Sequence, residues 1–508
     1  MKNKLFTLLF FVFFFSNSQV EHYSKGTINK DRLFLIDRSE ISAIDENENF
    51  ISIRPHRING TLRNYNIEFY KNLNFDSRLE VRTQNQTQIL EVFIKNGKVY
   101  VLIRETNKKS TSLRFDIINL SNKNVSKKEL FNLDKNNNSS LFKSLKHDSN
   151  IYIDHSNNIL IGIPFIENDD LATKIYSFNK NLDKQFEKTI VPKKGIKPKN
   201  ISLLNIFQNQ NQTFFLYNYK NENNEKHYQL VKLNNGDTDE LTFKIEHELY
   251  EIVNSNTDEN TLIICGLTSK KRKGDYNGFS YYKIDLNEFN LTIQNQVPFI
   301  SEEILNYFQG LFKGKKEIDI QNIFIDNANN TYIVGQFYQR IKHTLPEGPY
   351  ALFSVGATAV YITYNPIQFD SKEKEYDDIL IAKIDNKGNL IWDKLLGLKK
   401  TGKIKSISYH RDSSYFTFFD NNGLNILMNG FINIEKEKLK VKQDKRKGKT
   451  NFYNIVVSPE GTILTNILLS NSDSEIIFKA KKSIFSNGNI YNLGQGNMRR
   501  QLIKINKN

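Results

Sequence analysis

The stretch QNIFIDNANNTYIVG, Gln321 to Gly335, decides how this chain is read. Apolar β-formers flank a run of Asp and Asn that tolerates tight-turn geometry, so it spells a strand, a polar turn and a second strand. The same wording recurs in ISAIDENENFISI from Ile41, VFIKNGKVYVLI from Val92, IYIDHSNNILIGI from Ile151 and NIFQNQNQTFFLY from Asn205. It returns in EIVNSNTDENTLIICG from Glu251, FTFFDNNGLNILMNG from Phe416 and SIFSNGNIYNLG from Ser483, which makes eight copies. A third strand-like run follows each, as in IEFYKN from Ile67, KIYSFNK from Lys174, YYKIDLN from Tyr281 and QLIKIN from Gln501, and often a fourth, as in NKGNLIWDKLLG from Asn386.

Short antiparallel strands in fours, repeated with almost no helical periodicity, predict an all-β chain built of radially arranged sheets, a β-propeller of eight four-stranded blades. Seven blades is the alternative if the first two units are irregular. One helix interrupts the pattern: in SEEILNYFQGLFKG from Ser301, residues Ile304, Leu305, Phe308, Leu311 and Phe312 share a face, Ser301 is a cap and Gly314 a stop. The last unit ends one strand short. Arg32 to Asp37 precedes the first unit without belonging to one, so it is expected to pair with Gln501 to Asn506 and close the ring.

The chain has 508 residues, 39% hydrophobic and 25% charged, with 37 Phe and 24 Tyr, enough apolar material for a large core and too much for general disorder. One cysteine, Cys265, excludes an internal disulfide and multi-cysteine metal sites; its apolar run suits a buried strand thiol. At the start, Lys2 and Lys4 precede an apolar run from Leu5 to Phe15 and the small residues Ser16 to Ser18. That run is short of the about 20 residues that span a bilayer, so residues 1–18 read as an export signal cleaved after Ser18. The mature chain, 19–508, is expected to be one propeller domain with insertions at about 337–376 and 433–450, soluble, monomeric, and periplasmic or extracellular. Without Lys2 and Lys4, 71 − 2 = 69 basic residues face 56 acidic ones, a formal charge of +13 that favours acidic partners.

The wording ILIAKIDNKGNLIWDKLLG, within Asp377 to Gly397, resembles the β-propeller repeat of secreted bacterial proteins, where a strand ending in Lys-hydrophobic-Asp precedes an Asn/Gly turn and an aromatic strand. The resemblance is close in that unit and elsewhere reduces to the strand-turn-strand rhythm. It implies a binding scaffold and assigns no ligand.

No catalytic signature stands out. Trp392 is the only tryptophan, so a tryptophan-aspartate repeat is excluded, and no Asp-x-Asp-x-Asp-Gly loop is present for calcium. None of the eight histidines stands at ligand spacing from another, so neither metal nor cofactor is expected. Asp377-Asp378 reads as a turn, because adjacent strand residues would face opposite sides. The glycines of GQGNM from Gly494 open no helix and predict no phosphate loop.

Basic clusters are the more informative signal. Lys270, Lys271, Arg272 and Lys273 fall between the second and third strands of unit five, and Lys436, Lys438, Lys440, Lys442, Lys445, Arg446, Lys447 and Lys449 between those of unit seven. Unit six carries its long insertion at the equivalent point. There ALFSVGATAVYITYNPI from Ala351 is apolar enough for a hairpin or a lid, with Tyr350, Phe353, Tyr361 and Tyr364 able to stack on sugars or pack on a neighbouring blade. Such connections share one face of a propeller, so three consecutive blades are expected to crowd basic loops into one sector. The reading is a non-enzymatic exported scaffold binding an acidic polymer, or an envelope or extracellular protein, with Lys270 to Lys273 and Lys445, Arg446 and Lys447 as ligand-binding residues. Export makes nucleic acid a remote third partner. The alternative is a carbohydrate-active hydrolase or lyase with two carboxylates about 5 to 10 Å apart at the axis.

Overall fold

The computed structural model describes residues 23–30, 40–58, 61–83, 86–136, 139–141, 150–154, 158–209, 212–234, 237–245, 253–258, 260–269, 276–310, 317–345, 348–355, 358–364, 367–396, 399–401, 415–430, 432–433, 440–442, 451–469, 476, 478–496 and 499–506. Eight antiparallel sheets of four strands each follow one another along the chain as a β-propeller. Each blade begins at its inner strand. Those strands are Ile41–Ile44, Gln86–Lys95, Asn150–Ile153, Ile201–Asn209, Val253–Asp258, Glu317–Ile325, Phe416–Asp420 and Ser483–Ser486. Inner strands of adjoining blades lie against one another, as Ile41–Ile44 does against Gln86–Lys95 and against Ser483–Ser486, so the ring returns on itself.

Both faces of the middle strands are buried, because every blade packs on two neighbours. Ile159, Leu160 and Ile161 are all fully enclosed, with Leu160 facing blade 4 and its two flanking residues facing blade 2. Among the described residues the core is therefore eight separate apolar clusters, one at each junction. The junction between blades 8 and 1 has the smallest among these described residues, with Phe50, Tyr70, Tyr491, Leu493 and Leu502 as its buried members.

Hydrogen-bonded turns give the repeat its precision. Asp45, Asp154, Asp326 and Asp385 each accept, at 2.7–2.8 Å, the N–H of an Asn four residues on, and that Asn donates its side-chain amide back to the same carboxylate. The carboxylate replaces backbone partners that a reversing chain lacks. The residue before the Asn is left-handed where described, at Glu48 (59°), Asn329 (61°) and Gly388 (85°). Turns between third and fourth strands also latch onto the preceding blade. Lys128 donates to the Asn181 carbonyl (2.8 Å), Asn295 to that of Gly388 (3.2 Å) and Trp392 to that of Pro459 (3.1 Å).

The ring is closed from the chain's beginning, by residues upstream of those expected. Tyr23–Lys25 and Asn29–Lys30 pair antiparallel with Arg499–Asn506, bringing Tyr23 opposite Ile505 and Asn29 opposite Arg500. Arg32 to Asp37 lies in 31–39, outside the described residues. Physical reasons favour the upstream segment: this is an outer, solvent-facing edge, where Ser24 and Lys25 stay exposed, and Gly26 runs so close to blade 1 that a Cβ would collide with the Leu73 carbonyl.

Between blades 5 and 6 stands one helix, α1 (Glu302–Gly310), with Ile304 and Phe308 buried; Leu311, Phe312 and the expected stop at Gly314 lie outside the described residues. The second and third strands of blade 6, Thr331–Leu345 and Ile367–Ile384, run far past their neighbours and carry a hairpin of Gly348–Val355 and Thr358–Tyr364. Asp377 and Asp378 are not in a turn, contrary to expectation. They lie within the third strand at a bulge, between the pairs Tyr338/Tyr376 and Gln336/Ile379, where the ribbon leaves the blade.

Candidate binding face

Antiparallel order within every blade puts the second-to-third connections and the outer-to-inner connections on one face of the ring. On that face most second-to-third connections are minimal: residues 59–60, 107–109, 168–169, 221–225 and 497–498 in blades 1, 2, 3, 4 and 8. Blades 5, 6 and 7 differ. Their connections are 270–275, the ribbon with its hairpin, and 431–450.

The stem of the blade 5 connection is packed into the core. Ser269 and Tyr276 at its ends are buried, and Tyr276 packs edge-on against Phe308 of α1 at 5.5 Å. Phe308 stacks on Phe299 (5.5 Å) and meets Phe337 (5.4 Å), where the ribbon starts. The helix is thus a wedge between two of the three long connections. Asp393 holds its approach by accepting the N–H groups of Ile300 (2.9 Å) and Ser301 (2.8 Å). Burial, offset in part by these hydrogen bonds, raises the Asp393 carboxyl above the usual aspartate range.

In the third sector, Lys399–Thr401 from the connection into blade 7 pairs in parallel with Lys440–Lys442 from that blade's own long connection, which pairs in turn with Ile432–Asn433. Two connections of one face are joined by backbone. The site residues read from sequence, Lys270, Lys271, Arg272, Lys273, Lys445, Arg446 and Lys447, lie outside the described residues; the strands that carry their connections are described.

A fourth basic element on this face escaped the sequence reading. The short 3-10 turn Ala480–Lys482 enters the inner strand of blade 8, with Lys479, Lys481 and Lys482 on it. Glu40, entering the inner strand of blade 1, binds Lys482 through one oxygen and Arg500 and Ser52 through the other. Arg500 also binds Glu68, which takes Arg78 at 2.6 Å and Arg54 at 3.7 Å. Arg500 and Glu68 are fully buried. Burial pushes the Glu40 carboxyl up, but Arg500, Lys482 and the Ser52 hydroxyl outweigh it and hold the group at about 2. A carboxylate committed in this way stores charge. Held at so low a value, Glu40 is a poor general acid.

The opposite face carries the Asp/Asn turns. There a cleft of about 560 Å³ between blades 1 and 2 is bounded by Asn49, Phe69, Tyr70 and Asn119. Lys123 lies across it, 3.5 Å from Asp76 and 3.7 Å from the centre of the Phe69 ring. Among the described residues no three His, Cys, Asp or Glu side chains gather as a metal site, and no helix is long and apolar enough to cross a membrane.

No family model matches the chain, and no curated protein matches its sequence. Solved propellers are similar to it in shape. The β-propeller domain of the Trilobed protease from Pyrococcus furiosus is 10% identical, with 85% of this chain and 95% of that one covered at a TM-score of 0.37. Polysaccharide lyase Uly1 is 9% identical, with 82% and 89% covered, also at 0.37. The WD40 domain of SCAP from fission yeast is 8% identical, with 95% and 98% covered at 0.36. At these scores the likeness carries no argument about chemistry, and the fold rests on the sheets themselves.

Proposed function

We propose that the chain is an exported, non-enzymatic propeller scaffold of the secreted bacterial kind, which binds an acidic polymer through the face bearing the long connections of blades 5 to 7. The observation that carries this reading is that the longest second-to-third connections belong to three consecutive blades, residues 270–275 in blade 5, the ribbon and hairpin in blade 6 and residues 431–450 in blade 7, while the other five blades close the same position with two to five residues. Rigid sheets that present extended loops at one sector are a common way to build recognition. The loops in question hold Lys270 to Lys273 and Lys445 to Lys447, and the whole chain is basic, with a formal charge of +15. Export, argued from Lys2 to Ser18, places acidic envelope or extracellular polymers within reach.

The test compares two variants on a uronic-acid matrix. One replaces Lys270, Lys271, Arg272 and Lys273 with Ser, and the other replaces Lys95, Lys98, Lys180 and Lys387 on the opposite face. The first is expected to elute at clearly lower salt than the second, since contacts with a line of anions weaken as the Debye length shortens from about 8 Å to about 3 Å. Equal elution of the two would overturn the reading.

A further inference from the structure

We propose that the hairpin of blade 6, Gly348–Val355 with Thr358–Tyr364, and the lysine-bearing strands of the next connections round the ring dock this face of the propeller on a bilayer of anionic lipid. The inference goes beyond the binding face proposed above: the face is the same, but the ligand is a lipid surface rather than a polymer.

The ribbon of blade 6 outruns the blade that carries it. Its inner strand stops pairing at Glu317, opposite Tyr338, whereas the second and third strands stay paired from Gln339 with Glu375 to Leu345 with Ile367. At about 3.3 Å per residue, that two-stranded stretch is roughly 20 Å long. The hairpin at its end is free of charge: no Asp, Glu, Lys, Arg or His occurs from Gly348 to Tyr364. Register sets Tyr350 opposite Ile362, Ala351 opposite Tyr361 and Phe353 opposite Val360. Successive pairs fall on alternate faces of a strand pair, so apolar residues occupy both faces. Among the described residues the hairpin is a sheet of two strands with no third. Such a hairpin is at best marginally stable in water, and two apolar faces favour its transfer to hydrocarbon. A polysaccharide would offer it hydroxyls and carboxylates; a bilayer offers acyl chains.

Charge on the neighbouring connections selects the sign of the lipid. Lys399–Thr401 and Lys440–Lys442 pair in parallel, with Lys399 beside Lys440 and Thr401 beside Lys442. No acidic residue stands on either strand, nor on Ile432–Asn433, the third strand of that sheet. Like charges set opposite one another on paired strands are destabilising, a cost that an anionic surface offsets. The surrounding sequence continues the bias. Residues 397–414 hold five Lys or Arg against one Asp, and residues 431–450 hold eight against three Asp or Glu. These 38 of the 508 residues thus carry nine of the chain's formal +15, far more than lysine spread evenly along the sequence would place there. An apolar insertion and a basic flank are each weak membrane signals alone, and together they reinforce one another.

The experiment is co-sedimentation with vesicles of the chain from Gln19 onward, so that the apolar run Leu5 to Phe15 cannot itself bind lipid. Vesicles of phosphatidylcholine and phosphatidylglycerol in equal parts are compared with phosphatidylcholine alone, and the native chain is expected to bind the mixed vesicles about tenfold more tightly. Phe353→Ser/Ile362→Ser and Lys399→Gln/Lys440→Gln should each weaken that binding about tenfold. Lys180→Gln/Lys387→Gln, on exposed turns of the opposite face, should leave it unchanged. Thermal unfolding of Phe353→Ser/Ile362→Ser should match the native chain, because the hairpin is a sheet of its own. A fluorophore on Thr358→Cys reports insertion without removing an apolar residue, since the native Cys265 is buried, and lipids brominated in their acyl chains should quench it. Absence of quenching, or native-like binding by either of the first two variants, overturns the proposal. Equal affinity for the two kinds of vesicle overturns the anionic assignment. Retention of the native chain on the uronic-acid matrix but on neither vesicle overturns the lipid surface and leaves the polymer reading intact; vesicle binding without retention on that matrix does the reverse.

Discussion

Arg500 serves two buried carboxylates at once, Glu40 and Glu68, across the junction where the ring closes. These partners stand more than four hundred positions away in sequence, so no local pattern announces them. Among the described residues the same junction has the smallest apolar cluster of the eight, and the ion pairs add a polar contribution there. Truncating one member of such a network strands the others in a medium that cannot solvate them. Arg500→Ala should therefore cost about 3–5 kcal/mol, read as a fall in the urea midpoint. Arg500→Lys should recover only part of that, because one ammonium cannot reproduce a planar fork that reaches both glutamates. A midpoint unchanged in Arg500→Ala would mean that the network contributes nothing net.

At the scale of elements, the turns were legible and the exceptions were not. Asp and Asn at fixed offsets between β-formers announce a turn because their side chains supply its hydrogen bonds, and the four Asp–Asn turns follow that rule. The helix was equally plain from Ile304, Leu305 and Phe308; its role as a wedge depends on Tyr276 and Phe337, which only the fold brings to it. The closing strand was misplaced because Leu33 to Ile36 looks more strand-like than Tyr23 to Lys30. Apolar character is a poor guide at an outer edge, where what matters is the free side of Arg499–Asn506 and room to pass Leu73. The basic loops were visible as charge, whereas Lys479 to Lys482 was lost in a chain rich in lysine. Room to pass is also a prediction. Gly26→Val should loosen closure by forcing a side chain into the Leu73 carbonyl, lowering the thermal midpoint by several degrees, on the order of 1–3 kcal/mol of overpacking. A midpoint equal to the native one would show that the strand can shift to make room.

For the molecule as a whole, the junction of blades 8 and 1 holds a buried ion network whose strength depends on ionisation. Glu40 titrates at about 2 in the folded chain against an ordinary 4.5, so its contribution is present in full above 4.5 and is lost as the pH falls towards 2. Acid should therefore open the propeller at blades 8 and 1 before it melts the other blades. Amide exchange near pH 3 should show Tyr23–Lys25 and Arg499–Asn506 losing protection first, with Thr261–Ser269 and Tyr276–Asp285 of blade 5 still protected. Uniform loss across all eight blades would refute this order of events.

Closure through Tyr23 and Ile505 also frees the ring from any natural starting point. These residues face one another as register partners on neighbouring strands, so a short hairpin loop could join them covalently, while the chain is cut instead between blades 1 and 2, at residues 83–85. In such a circular permutant every blade, the eighth included, would be made of contiguous chain. The seam that now joins the first residues to the last would become an ordinary turn, and the entropy of recruiting a distant strand would no longer oppose folding.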